Sequence, residues 1–178
     1  QWAERRKEAT AMEQKVAAKQ MPPPESTRLH TALIDQLFLV GEGVLDGSGL
    51  SLDSHFDTHM LTQVALVKAM VLTEHMGLMR ARGAMYLAQG TLPPEGQATL
   101  QAGLRQIDQV QADLQRHLAK AGGDNAAFRK ALEGPARALN EQIGATLKMT
   151  REGLVDAQTI TVTPTAYFDD FTRTSEAI

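Results

Sequence analysis

The sequence contains no cysteine. That excludes disulfides, thiolate zinc sites, a c-type haem attachment and a cysteine nucleophile, and it is compatible with any compartment. Aromatic residues make up only 4% of the chain, so a core has to be built from alanine, leucine and methionine, which suits helices packing through small and flexible side chains. No apolar run approaches the roughly 18 residues of a membrane span, and no signal peptide is visible. Basic blocks are missing apart from Arg5, Arg6 and Lys7. With a formal net charge of -3 there is no electrostatic case for nucleic acid. GxSxG, P-loop and paired-carboxylate patterns are also absent, and strands that would carry a phosphate cradle are scarcely present; an enzyme is not expected. The one β-like stretch, Thr159 to Pro164, reads as an extended linker.

What is present is helical periodicity broken by short turns. The sequence predicts an all-α, antiparallel up-and-down helical bundle, a single helical domain over 1–178. A polar helix is predicted over 1–21, carrying Trp2, Ala9, Met12, Val16 and Lys19 and stopped by Pro22, Pro23 and Pro24. A second spans 26–46, capped by Ser26 or Thr27, with Leu29, Leu33, Leu37 and Val40 as its edge. The central helix, 53–90, is capped by Ser51, Asp53 or Ser54 and ends at Gly90; Met60, Val64, Val67, Val71, Leu78 and Met85 read as its buried face. A further helix over 94–121 places Leu100, Leu104, Ile107, Leu114 and Leu118 near a heptad stripe. The next, 124–158, is capped by Asp124 or Asn125. It runs through Phe128, Leu132, Leu139, Ile143, Leu147 and Leu154, with a kink expected at Pro135. Pro164 opens the last helix, 164–178, where Tyr167 and Phe168 are expected to anchor it against the bundle.

The candidate site lies on the central helix. Arg80 and Arg82 stand in GLMRARG, among small and apolar residues, and a buried arginine needs an anion, a carboxylate or water. Two residues apart, they face different ways. Arg80 reads either as a structural cation paired with Glu74, Asp57 or a neighbouring helix's carboxylate, or as a direct contact for an anionic ligand. Arg82 reads as a solvated or interface residue. Asp57, Thr58 and His59 sit in the first turns, where Asp53 and Asp57 read as complements to the helix dipole together with capping, or the end reads as a site for a small ligand or metal. His55 and His59 have the four-residue spacing of metal ligands, but Phe56 stands where the hydrolytic-zinc pattern needs glutamate. No metal or cofactor is expected. Glu74 directly precedes His75, the wrong spacing for a di-metal carboxylate bundle.

Three stretches, SGLSLDSHFDTHML (48–61), LTEHMGLMRARGAMYLAQG (72–90) and TPTAYFDDFTRTSEAI (163–178), resemble the helical extracytoplasmic sensor region of bacterial methyl-accepting chemotaxis receptors and related transmembrane signalling proteins. That group shows patterns like SGLxLDPxxDSYxLM, LGxLRxxGAxxLAxG and YFxxxTxAI. The chain departs from them at Ser54, at Thr58-His59 and at Ser175-Glu176. The resemblance implies a periplasmic sensor, part of a membrane-anchored receptor, that works as a homodimer. It also implies a small-molecule ligand, an anionic one if Arg80 and Arg82 take part, and an output that is a chemotaxis rod, a histidine kinase or a diguanylate cyclase. The chain opens without methionine and stops within a helical pattern, so flanking membrane segments and an upstream helical module are expected. The competing reading is a helical protein-interaction module with no small-molecule ligand. Gly77, Ala81, Ala84 and Ala88 read as a small-residue seam along which helices can shift.

Overall fold

A computed structural model gives the fold and describes residues 2–123 and 125–178. The protein is all-α: 86% of it is helical and no strand occurs among the described residues. Contacts divide it into two compact units, one ending at Ser54 and one from His55 to Ile178.

The first unit holds α1 (Trp2–Ala17) and α2 (Pro23–Ser48), which pack on each other. α1 stops earlier than the prolines alone would require. Lys19 takes a left-handed φ of 54°, and the amide of Gln20 donates back to the carbonyl of Lys15, which closes the helix with satisfied carbonyls. α2 then opens on Pro23, at the position where a missing N–H costs nothing, so neither Ser26 nor Thr27 is its cap. It ends on Gly49, whose φ of 77° favours a residue without a side chain. Among its described side chains, Leu33 and Leu45 are the buried apolar ones.

The second unit is an antiparallel four-helix bundle. Its first member joins α3 (Phe56–Gln63) to α4 (Ala69–Gln89) through one π-helical turn, Val64–Lys68. The second is α5 (Pro94–Gly122). The third is α6 (Ala126–Thr150), extended by a second π turn, Arg151–Val155. The fourth is the short α7 (Pro164–Ala177). α4 packs against α5 and α7, and α6 closes the ring between them. The N-cap of α3 is His55, whose side chain makes no capping bond, in place of the serines and aspartate expected. Asn125 does cap α6, accepting from the amide of Phe128 at 3.0 Å, and Thr163 caps α7. Asp124, the other predicted cap, and Gln1 lie outside the described residues. α6 continues as helix through Pro135, whose missing donor falls on an exposed stretch.

The core corrects one expectation. The buried face of α4 is Leu72, Met76, Met79, Gly83 and Leu87, spaced by fours and threes. Met60, Val64, Val67, Val71 and Leu78 are half-buried, and Met85 is 43% exposed. Apolar and small residues surround this helix on every side, so periodicity alone does not single out a face. The stripes of α5 and α6 are as expected through Leu100, Leu104, Ile107, Leu114, Ile143, Leu147 and Leu154. Phe128, Leu132 and Leu139 stay half-buried, because the short α7 runs beside only part of α6.

Close approach explains one of the two α4 glycines. A Cβ at Gly83 would collide with the Tyr167 ring, whereas one at Gly77 would meet nothing within 4 Å. Gly83→Ala should therefore lose roughly 1–3 kcal/mol through overpacking against a ring that has nowhere to go. Gly77→Ala should be neutral or gain up to about 1 kcal/mol of helix propensity. Paired denaturant melts check this; equal effects would show that Tyr167 does not use the notch.

Candidate functional site

α7 is brought to α4 by a short register of contacts. Pro164 and the Thr163 cap start the helix, and its first turn delivers Tyr167 into the core at 0% exposure. The Tyr167 hydroxyl donates to the carbonyl of Met79 at 3.0 Å, and the ring fills the space left by Gly83. Phe171 stacks beside it, with ring centroids 4.6 Å apart. Burial pushes the Tyr167 phenol well above its ordinary pKa, so it stays a neutral donor. Of the two predicted anchors, Tyr167 is buried. Phe168 is 45% exposed, and Phe171 takes the core position expected of it.

Phe168 has a different neighbour. The Arg80 guanidinium lies 4.7 Å from the centre of its ring, a cation–π distance. Nη1 of Arg80 donates to the Thr172 hydroxyl at 2.9 Å, and that hydroxyl donates onward to the carbonyl of Phe168 at 2.8 Å. Arg80 is half-buried. Its partners on α7 are thus a hydroxyl and a ring face, both neutral. Thr172 takes one N–H, and a guanidinium carries five.

Behind this contact, α6 and α7 share a polar seam. Thr146 donates to Oδ2 of Asp170 at 2.6 Å. Thr174, 2.8 Å from Thr146, donates to the Asp170 carbonyl. Thr146, Thr150 and Thr174 are all buried. Sequence reasoning missed them. Their signal was available: on α6, Thr146 and Thr150 occupy the same stripe as Ile143, Leu147 and Leu154.

The other candidates are elsewhere. Arg82 is half-buried beside His75, whose pKa is lowered, first by burial and then by the Arg82 charge. Asp57 is exposed in the first turn of α3, its carboxylate close to Gly123 at the end of α5, and His59, two residues further on, is half-buried. At about 1.5 Å per residue, these two lie roughly 30–35 Å along the helix from Arg80. The four residues are not one pocket. Among the described residues, no three His, Asp or Glu side chains gather as a metal site. Nor, among those residues, is any helix long and apolar enough to cross a membrane.

A family model described as nitrate and nitrite sensing, NIT, matches residues 4–178. The chain belongs to the NIT family. NIT domains are extracytoplasmic sensor domains of bacterial signalling proteins. The broader part of the sequence resemblance, a helical sensor of transmembrane signalling, is thereby established; the chemotaxis receptor in particular is not. Neither the curated proteins nor the solved structures contain a match to this NIT domain.

Acid should loosen the bundle. His75, and likewise His117, desolvated and beside Lys68, Lys120 and Arg116, have folded pKa values below the ordinary 6.5. Each then binds fewer protons folded than unfolded. The stability they contribute is complete above about pH 6.5 and is lost as pH falls from there toward the folded pKa. The melting temperature should drop between pH 7 and 5, less so in His75→Gln. An unchanged pH slope in that variant would show that His75 is not desolvated.

Proposed function

We propose that this domain is the extracytoplasmic anion sensor of a bacterial chemoreceptor, that nitrate or nitrite is its ligand, and that Arg80 is the first contact. The observation that carries the reading is the family match over nearly the whole chain, taken with a half-buried guanidinium whose α7 partners are uncharged. A planar oxyanion suits the guanidinium fork, and charge-assisted bonds to it are about twice as strong as neutral ones. Arg82 adds positive potential from the adjoining face. Asp57 and His59 fall outside this site, and the Asp57 carboxylate complements the dipole at the other end of the helix.

Ligand at Arg80 would compete with Thr172 and Phe168 for the same cation, and so bear on how α7 sits against α4. A small displacement of α7 is the output. The domain would act as a homodimer within a membrane-anchored, periplasmic-facing receptor and needs no cofactor. A histidine kinase or diguanylate cyclase output fits the same sensor, and only the full-length protein distinguishes them. A protein-interaction module is the remaining alternative.

Calorimetry on this domain should show saturable binding of nitrate or nitrite, with chloride and sulfate as controls. Arg80→Ala should weaken it about 10- to 100-fold, the equivalent of roughly 1.5–3 kcal/mol for a bond to a charged group. Arg80→Lys should restore only part, having lost the fork. A folded Arg80→Ala variant with unchanged affinity would remove Arg80 from the site. Failure of every anion to bind would favour the interaction module.

A further inference from the structure

Away from Arg80, α5 and the first half of α6 leave a groove of about 720 Å³ between them, within the range of roughly 300–1,000 Å³ typical of small-molecule sites. No residue of α4 or α7 lines it. Its walls include Leu118, Leu132 and Ala136, and it extends along α6 from Ala126 to Asn140, about 20 Å at the helical rise. That is a long, mostly apolar trough. An inorganic oxyanion would leave nearly all of its floor wet.

The polar groups are unevenly placed. Gln111 donates to the Asn140 side chain at 2.6 Å, closing one end. Near that end, the Gln115 amide nitrogen is buried and has no hydrogen-bond partner. The register set by Gln111 on Asn140 and by Gly122 on Arg129 puts Gln115 opposite Ala136, beside Arg137. Arg129 at the far end is already committed to the Gly123 carbonyl. Among the described residues, Lys130 and Arg137 form no ion pair. Glu133 between them offsets one of these positive charges, and the lining stays net basic. The Gln115 nitrogen is a buried donor that lacks an acceptor, and Arg137 beside it is an exposed cation that an anion accepting from Gln115 would also meet.

We propose that this groove binds an elongated organic anion, a carboxylate on an apolar chain, with the head group between Gln115 and Arg137 and the chain lying over Leu118 and Leu132. The site is separate from Arg80 and does not depend on the nitrate reading.

The probe is octanoate, titrated into the protein by calorimetry beside octanol as its uncharged counterpart. Octanoate should bind saturably and at least tenfold more tightly than octanol. Arg137→Gln and Gln115→Leu should each weaken octanoate severalfold, and Ala136→Trp, which fills the trough, should abolish binding. Helicity by circular dichroism is required of each variant; three substitutions at different points keep the test alive if one misfolds. Saturating nitrate should leave octanoate affinity unchanged, so the two sites fail or succeed separately. Equal binding of octanol, unaltered affinity in the folded variants, or no saturable heat would overturn the proposal. Binding of an acidic peptide in place of octanoate would overturn it in favour of a protein partner.

Discussion

The Tyr167 ring seated in the space above Gly83 is the contact on which the rest of the bundle turns. α7 is short and begins after an extended linker, so little else fixes its height on α4. With the ring in place, the Tyr167 hydroxyl reaches the Met79 carbonyl, Phe171 enters the core, and Arg80 comes opposite Thr172 and Phe168. A shift by a single residue would carry the ring out of the notch and onto a helix surface that cannot accept it. Packed interiors are discrete in this sense: they allow a few arrangements and resist continuous sliding.

The polar seam behind α7 has the opposite character. Thr146, Thr174 and Asp170 exchange hydrogen bonds across α6 and α7, with Thr150 donating back to the Thr146 carbonyl, where leucines would otherwise interdigitate. Such a network is favourable only while every member keeps a partner, since a buried hydroxyl left alone costs about 1–3 kcal/mol. Hydroxyls can nevertheless re-pair over short displacements in a way that fitted apolar surfaces cannot. α7 therefore meets α4 through shape and α6 through interchangeable hydrogen bonds. The linker supports the same end of the bundle: Thr161 pairs with the Gly153 carbonyl, and Gln97 donates to that of Val155.

Much of this was legible in the chain because its turns are strongly marked. Gly49 and Gly90 end helices in left-handed conformations, and Pro94 and Pro164 begin them. The stripes of α5 and α6 follow from leucines and isoleucines set against a polar background. The central helix lacks that contrast, and its buried face was read a rotation away from Leu72, Met76 and Met79. Arg80 stood out as a cation among small residues. Its partners did not, because Thr172 and Phe168 meet it only through the tertiary docking of a helix ninety residues on. The same holds for Gln115 and Arg137, which share a groove only through the register of two helices.

On the proposed reading, one exchanged hydrogen bond suffices for signalling. Thr172 is a neutral acceptor for a charged donor, and an anion offers that donor a stronger, charge-assisted bond. The strength of the new bond does not by itself move α7; only a difference in affinity between two arrangements does so. That difference arises if Arg80 cannot hold the anion and Thr172 together without changing its position over Phe168. A hydrogen bond to a charged group contributes about 1.5–3 kcal/mol, and coupling between allosteric sites is typically about 1–3 kcal/mol. The two magnitudes match. Nothing larger than the loss of Thr172 from Arg80 is therefore required, provided Tyr167 and Gly83 act as the fulcrum that turns a local exchange into a movement of the whole helix.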